Sequence, residues 1–163
     1  MKKTMMLIVL FAVLVVSVAA YSGRVYQPVD GYKAPGFSVC NADTSLSVAN
    51  LKGRYVLVNF WASTDAESRI QNQEYDSFCQ SLSQERFCLL SVNVDRNERL
   101  FREIVRNDNL NAEAQFRVDE SCLSRVARDY HLTKGLRSFL IDPEGRIVAT
   151  NPSSSTLTQV LSE

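Results

Sequence analysis

Histidine, tryptophan and paired cysteines are what this chain has little of. In 163 residues there is one histidine, His131, and one tryptophan, Trp61. A lone imidazole argues against a histidine-built metal cluster and against histidine-driven acid–base catalysis. The four cysteines, Cys40, Cys79, Cys88 and Cys122, form no C-x-x-C pair, and their spacing matches no zinc-ligand pattern. No metal and no cofactor is therefore expected. Net charge is also missing: 18 Lys+Arg stand against 18 Asp+Glu. That balance gives no electrostatic case for binding nucleic acid or an anionic membrane.

The one long apolar run stands at the beginning. Residues 1–20 read MKKTMMLIVLFAVLVVSVAA, with Lys2 and Lys3 before an almost wholly apolar stretch over residues 5–18. Val18, Ala19 and Ala20 are small residues suited to signal-peptidase cleavage before Tyr21. The run falls short of the about 20 residues that a membrane span needs. Residues 1–20 are expected to be a signal peptide of a periplasmic or secreted protein that leaves the membrane after cleavage. An uncleaved N-terminal anchor is the alternative. No cysteine follows the run, so a lipoprotein anchor is not supported. Removing residues 1–20 takes away two lysines and leaves 16 Lys+Arg against 18 Asp+Glu, a formal charge of −2.

An even cysteine count in an oxidising compartment permits disulfides. Cys79 falls with Tyr75, Phe78 and Leu82 at helical spacing, and Cys88 sits in the strand-like run FCLLSVNV. Both read as small buried hydrophobes, with a bridge between them left open. Cys122 follows Asp119, Glu120 and Ser121 at the start of a helix, where the N-terminal dipole can lower a thiol pKa. It is the candidate reactive thiol, and an inert half-buried cysteine is the plainer reading.

Along the chain, residues 21–33 read as an extended lead-in and residues 37–40 as a short strand. Residues 46–53 read as a turn-rich connection. Residues 54–61 are apolar enough for a strand covered on both faces. Helix is predicted over 65–82, strand over 87–94, helix over 98–106, an extended piece over 116–118 and helix over 121–130. Strands over 138–141 and 146–150 flank Asp142-Pro143-Glu144-Gly145, where proline pre-sets φ and glycine supplies φ > 0, a strong hairpin signal. Residues 155–161 form a short terminal helix. The order β-β-α-β-α-(β)-α-β-β-α implies an α/β sandwich.

Several stretches carry a resemblance. APGFSV, LKGRYVLVNFWAS, LLSVNVD and YHLTKGLRSFLIDPEGRIV together resemble the TlpA/ResA-like redoxin branch of the thioredoxin superfamily and, more distantly, the AhpC/TSA peroxiredoxins. The resemblance covers residues 34–163. It implies a thioredoxin-like fold: a central mixed β-sheet with helices on both faces and a redoxin-type N-terminal extension. The family's C-x-x-C cysteines fall on Asp65 and Ser68, its following arginine on Arg69, and its cis-proline on Leu136. A cis bond before a non-proline residue costs about 2.5–4 kcal/mol, so a trans bond is expected at Leu136. A peroxiredoxin thiol is expected in the first turn of this same helix, and no cysteine stands there. His131 holds a position that is often glycine in the family and reads as a surface residue.

Two functions remain in view. The leading one is a protein- or peptide-binding or structural module that uses the degenerate active-site face. Asp65 at the helix start can cap backbone N–H groups, Thr64 with Glu67 also fits a capping box, and on the binding reading Asp65 would be a fixed anion. The alternative is a thiol-disulfide oxidoreductase or antioxidant protein working through a displaced cysteine such as Cys122. Arg99, Arg102 and Arg106 read as a solvated helix face with ion pairs to Glu98 and Glu103.

Overall fold

A run of uniformly apolar side chains is stable as a strand only when both of its faces are covered. Tyr55–Trp61 is such a run: it forms strand β3, and every residue after Tyr55 is buried. A computed structural model describes residues 28–41, 44–80, 82 and 86–162, together with Met6. Apart from Met6, the expected signal peptide lies outside the described residues, as do residues 21–27 of the lead-in. Among the described residues no helix is long and apolar enough to cross a membrane.

Strand β3 pairs in parallel with β4 (Phe87–Asn93) and antiparallel with β6 (Ser138–Ile141). β4 pairs in parallel with β5 (Gln115–Val118). β1 (Ser38–Cys40), β2 (Ser45–Ser47) and β7 (Ile147–Thr150) complete a seven-stranded sheet in the order β2-β1-β5-β4-β3-β6-β7. Helices α1 (Ala66–Cys79), α2 (Glu98–Asn107), α3 (Glu120–Asp129) and α4 (Ser154–Ser162) follow β3, β4, β5 and β7. The mixed sheet covered on both faces is the α/β architecture that the sequence implies.

The core divides by face. On one side Phe37, Phe60, Tyr130 and Phe139 pack ring to ring with centroids 4.9–6.3 Å apart, and Val126 of α3 joins them. The Tyr130 hydroxyl donates to the Pro35 carbonyl at 2.7 Å, which fastens the APGF opening to the end of α3. On the other side Leu57, Leu89 and Leu140 meet Tyr75 of α1 and Leu157 of α4, while Trp61 packs against Phe101 of α2 at 5.9 Å.

A polar row crosses the second face beneath α1. Ser138, Asn59, Ser91 and Gln115 lie side by side in register on β6, β3, β4 and β5, each at most 2% exposed. Asn72 of α1 closes the row. Its Oδ1 accepts from Asn59 Nδ2 at 3.1 Å and from the Ser91 hydroxyl, and its Nδ2 donates to Gln115 Oε1 at 3.1 Å. The Tyr75 hydroxyl pairs with Ser138 Oγ at 2.8 Å and donates to the Pro152 carbonyl at 2.8 Å.

Several expectations need correction. Residues 45–47, inside and just before the expected turn-rich connection, form β2, because Leu46 faces Val39 across an antiparallel ladder. Three residues are too few for periodicity to declare a strand. At the described end of the lead-in, Gly31 N donates to the Ile147 carbonyl at 2.7 Å and Ile147 N to the Tyr32 carbonyl at 2.9 Å. These bonds cover the outer edge of β7, which would otherwise present unpaired backbone groups. His131 is half-buried rather than a plain surface residue, and its φ of 54° places it in the left-handed region just past α3. That conformation favours glycine at a helix C-terminus, which accounts for the residue type expected there.

Asn72→Ala removes one acceptor and one donor from a buried row and strands the Asn59, Ser91 and Gln115 groups. We expect it to lower stability by about 3 kcal/mol; urea denaturation followed by circular dichroism measures the loss.

Candidate functional site at the N-terminus of helix α1

The C-terminal ends of β3 and β4, the first turn of α1 and the loop before β6 meet at one end of the sheet. Parallel pairing sets Trp61 beside Asn93, and Val94 N donates to the Trp61 carbonyl at 3.0 Å. Asp95 then fastens the two loops. Its Oδ2 accepts from Ser63 N at 2.7 Å and from Asn93 Nδ2 at 2.9 Å.

Asp65 is the N-cap of α1, in extended conformation with φ −100° and ψ 107°. Its Oδ1 accepts from Ser68 N at 2.7 Å. The expected capping box of Thr64 with Glu67 does not form: Thr64 lies one residue outside the helix and Asp65 caps instead. A charged carboxylate is the stronger partner for a helix N-terminus, both as a cap and against the dipole. Ser68 is buried. Its hydroxyl donates to the Asp65 carbonyl at 3.1 Å and accepts from Ala62 N at 3.2 Å. Asp65 and Ser68 thus bind each other and the turn before them.

Arg69 forms a two-pronged bond to Asp108, Nε to Oδ2 at 3.0 Å and a terminal nitrogen to Oδ1 at 2.7 Å, and this raises the guanidinium pKa. It clamps α1 to the end of α2. The peptide bond before Leu136 is trans, as expected, and no described residue has a cis bond. Leu136 is half-buried against the aromatic core, and the neighbouring Arg137 carbonyl accepts from Phe60 N at 3.1 Å. Thr64, Asp65, Glu67 and Ile70 face solvent, Ile70 at 58% exposure.

The thiols lie elsewhere, and all four are free. Cys79 ends α1, about 20 Å from Asp65 along the helix at 1.5 Å per residue. Cys88 lies five residues before Asn93 on β4, about 16 Å back along the strand. Cys40 is in register with Arg117, Asn93 and Trp61 in turn, about 14 Å across the sheet at 4.8 Å per strand. Cys122 is in the first turn of α3, on the opposite face of the sheet from α1. It is half-buried, with an Arg125 nitrogen 3.9 Å from its sulfur.

Cys79 and Cys88 are half-buried rather than core residues, and both line a cavity of about 310 Å³ at the far end of α1. They are not bridged. Burial pushes the Cys79 thiol up to about 12, with the Asp76 carboxylate and Cys88 adding to the effect. Burial also raises Cys88, while Arg54 opposes it.

Asp65 and Ser68 lie at the start of α1, and Leu136 lies in the loop before β6 at the same end of the sheet. Sequence reasoning missed Asp95 and the Asn72 row. The available signal was polar residues within otherwise apolar strands: Asn59 in VLVNFW, Ser91 in LLSVNV and Ser138 at the start of SFLI.

The sheet order, the crossing helices and the loop cluster at this end define a thioredoxin-like fold. The model of the AhpC/TSA family matches residues 31–150, and the chain belongs to that family. It is similar to the crystal structure of a thioredoxin-like protein from Parabacteroides distasonis, at 31% identity and a TM-score of 0.71, covering 84% of this chain and 97% of that one. The thioredoxin domain of a thiol-disulfide oxidoreductase from Bacteroides vulgatus is 23% identical, with a TM-score of 0.71 and coverage of 83% and 97%. A thiol:disulfide interchange protein from Bacteroides sp. is 24% identical, with a TM-score of 0.72 and coverage of 82% and 88%. At these identities the last two show the fold alone. Comparison with curated proteins finds no match.

Two measurements probe this end and its opposite. Asp65→Ala removes the α1 cap and is expected to cost about 1 kcal/mol, read as a lowered denaturation midpoint. Cys79 gives an alkaline signature. Its folded-state pKa is about 12 against an ordinary 9.0, so above about pH 9 the unfolded chain loses the proton while the folded one keeps it. The stability this supplies is complete below pH 9 and is lost as pH rises toward 12. Denaturant midpoints of Cys79→Ala should therefore decline less steeply above pH 9 than those of the wild type.

Proposed function

We propose that this chain is an exported binding module of the thioredoxin fold, which contacts a protein or peptide at the Asp65 face and performs no thiol–disulfide exchange there. One observation carries the reading: the groups at the exchange positions are a carboxylate and a hydroxyl, committed to capping α1. Exchange requires a thiolate that attacks sulfur and a thiol that leaves. Asp65 can do neither, and Ser68 offers no exposed nucleophile.

What remains is a surface of fixed character. Asp65 and Glu67 give it negative charge, and Ile70 gives it apolar area. An extended peptide with basic and apolar residues complements it. Export is read from the basic and apolar pattern of residues 1–20, which supports a periplasmic or secreted location; an uncleaved segment would tether the protein to the membrane instead.

The competing reading, a displaced redox thiol at Cys122, draws support from the Arg125 guanidinium beside that sulfur and from its position in the first turn of α3. Insulin reduction under dithiothreitol separates the two. The wild-type chain should add nothing to the rate of the reductant alone. Basic extended peptides should shift amide resonances over residues 64–70 and 135–137, with the shifts lost in Asp65→Lys. Catalysed reduction that Cys122→Ser abolishes would replace the binding reading with the redox one. Bulk thiol labelling cannot serve as the test, because Cys40 is exposed and will label in any case.

A further inference from the structure

A second concave site lies away from the Asp65 face, between α2 and the β1–β5 edge of the sheet. It has a volume of about 550 Å³, within the range of small-ligand pockets. Its apolar lining comes from Phe101, Val105 and Leu110. Its charged lining is Arg102, Arg106 and Arg117 against a single carboxylate, Glu98. Glu98 is shared between Arg102 and Arg117, the latter at 3.3 Å. Arg106 forms no ion pair with any described residue. Three guanidiniums to one carboxylate leave the pocket with two uncompensated positive charges. The arginines of α2 are thus not only the solvated face that their spacing suggests.

Two buried polar atoms belong to this lining and lack a partner. Gln115 is 2% exposed; its Oε1 is held by Asn72, and its Nε2 has no acceptor. Arg117 donates through one terminal nitrogen to the Asp95 and Arg96 carbonyls, while its Nε is buried and unpaired. Both are N–H donors, and a buried donor left unpaired is costly. What the pocket lacks is an acceptor carrying negative charge, attached to a body that fits an apolar floor.

We propose that this pocket binds a small amphipathic organic carboxylate, with its head against Arg106, Arg117 and Gln115 and its tail over Phe101, Val105 and Leu110. A guanidinium fork matches a carboxylate geometrically. The apolar floor selects an organic acid over inorganic phosphate. The site is independent of the Asp65 face, so either assignment can fail without the other.

The test uses the full chain and decanoate, with decanol and inorganic phosphate as controls, followed by calorimetry and by the Gln115 side-chain amide resonances. Decanoate should bind saturably, at least tenfold more tightly than decanol, and should shift the Gln115 amide; phosphate should not compete at equal concentration. Arg106→Gln should weaken decanoate at least fivefold and leave decanol unchanged. Phe101→Ala should weaken both. Equal affinity for decanoate and decanol, an unshifted Gln115 amide, or full binding by Arg106→Gln would overturn the proposal. The Arg106 variant changes an exposed side chain with no described ion pair, so its result does not depend on the fold tolerating a core change.

Discussion

The Asn72 carboxamide is the point on which the arrangement of this protein turns. It sits without solvent contact between α1 and the sheet, and it joins β3, β4 and β5 through Asn59, Ser91 and Gln115. A buried polar group left unpaired is costly, and pairing demands a fixed geometry. An apolar face could slide by a fraction of a turn at little cost. The amide row cannot, so α1 has one rotation and one height over the sheet. The position of Asp65 and Ser68 at its N-terminus follows from that.

The same rigidity explains why the site keeps its shape without a disulfide. Asp65 and Ser68 bind each other and the preceding turn, Asp95 ties the loop after β4 to the loop before α1, and Arg69 clamps α1 to α2 through Asp108. The cysteines are placed where strands and helices pack or end. Burial makes Cys79 and Cys88 poor nucleophiles by keeping them protonated.

Much of this was readable from residues alone. β6 was placed to the residue, and the Asp142–Gly145 turn was read from its proline and glycine; Gly145 has a φ of 84°. The long strands and helices were placed within a few residues, because each carries its own periodicity. β2 was not, since three residues hold too little pattern and the strand exists only because β1 lies alongside. Residue types left the helix cap open between Thr64 and Asp65, and the choice of Asp65 depends on where the chain leaves β3. Arg102 and Arg106 looked solvated because their helix shows ordinary charge alternation; the pocket behind them is made by Arg117 and Gln115, distant in sequence.

By itself the sequence determined the α/β order, the thioredoxin-like frame and the absence of any C-x-x-C pair. These depend on local residue types and on spacing within single elements. Only the tertiary structure decided which polar side chains meet beneath α1, which edge the lead-in covers, and where unpaired donors collect beside α2. Those outcomes depend on strand register, which sets side by side residues such as Asn59, Ser91, Gln115 and Ser138 that lie tens of positions apart. No local pattern encodes that alignment; it appears when the hydrophobic faces of all the strands are buried at once.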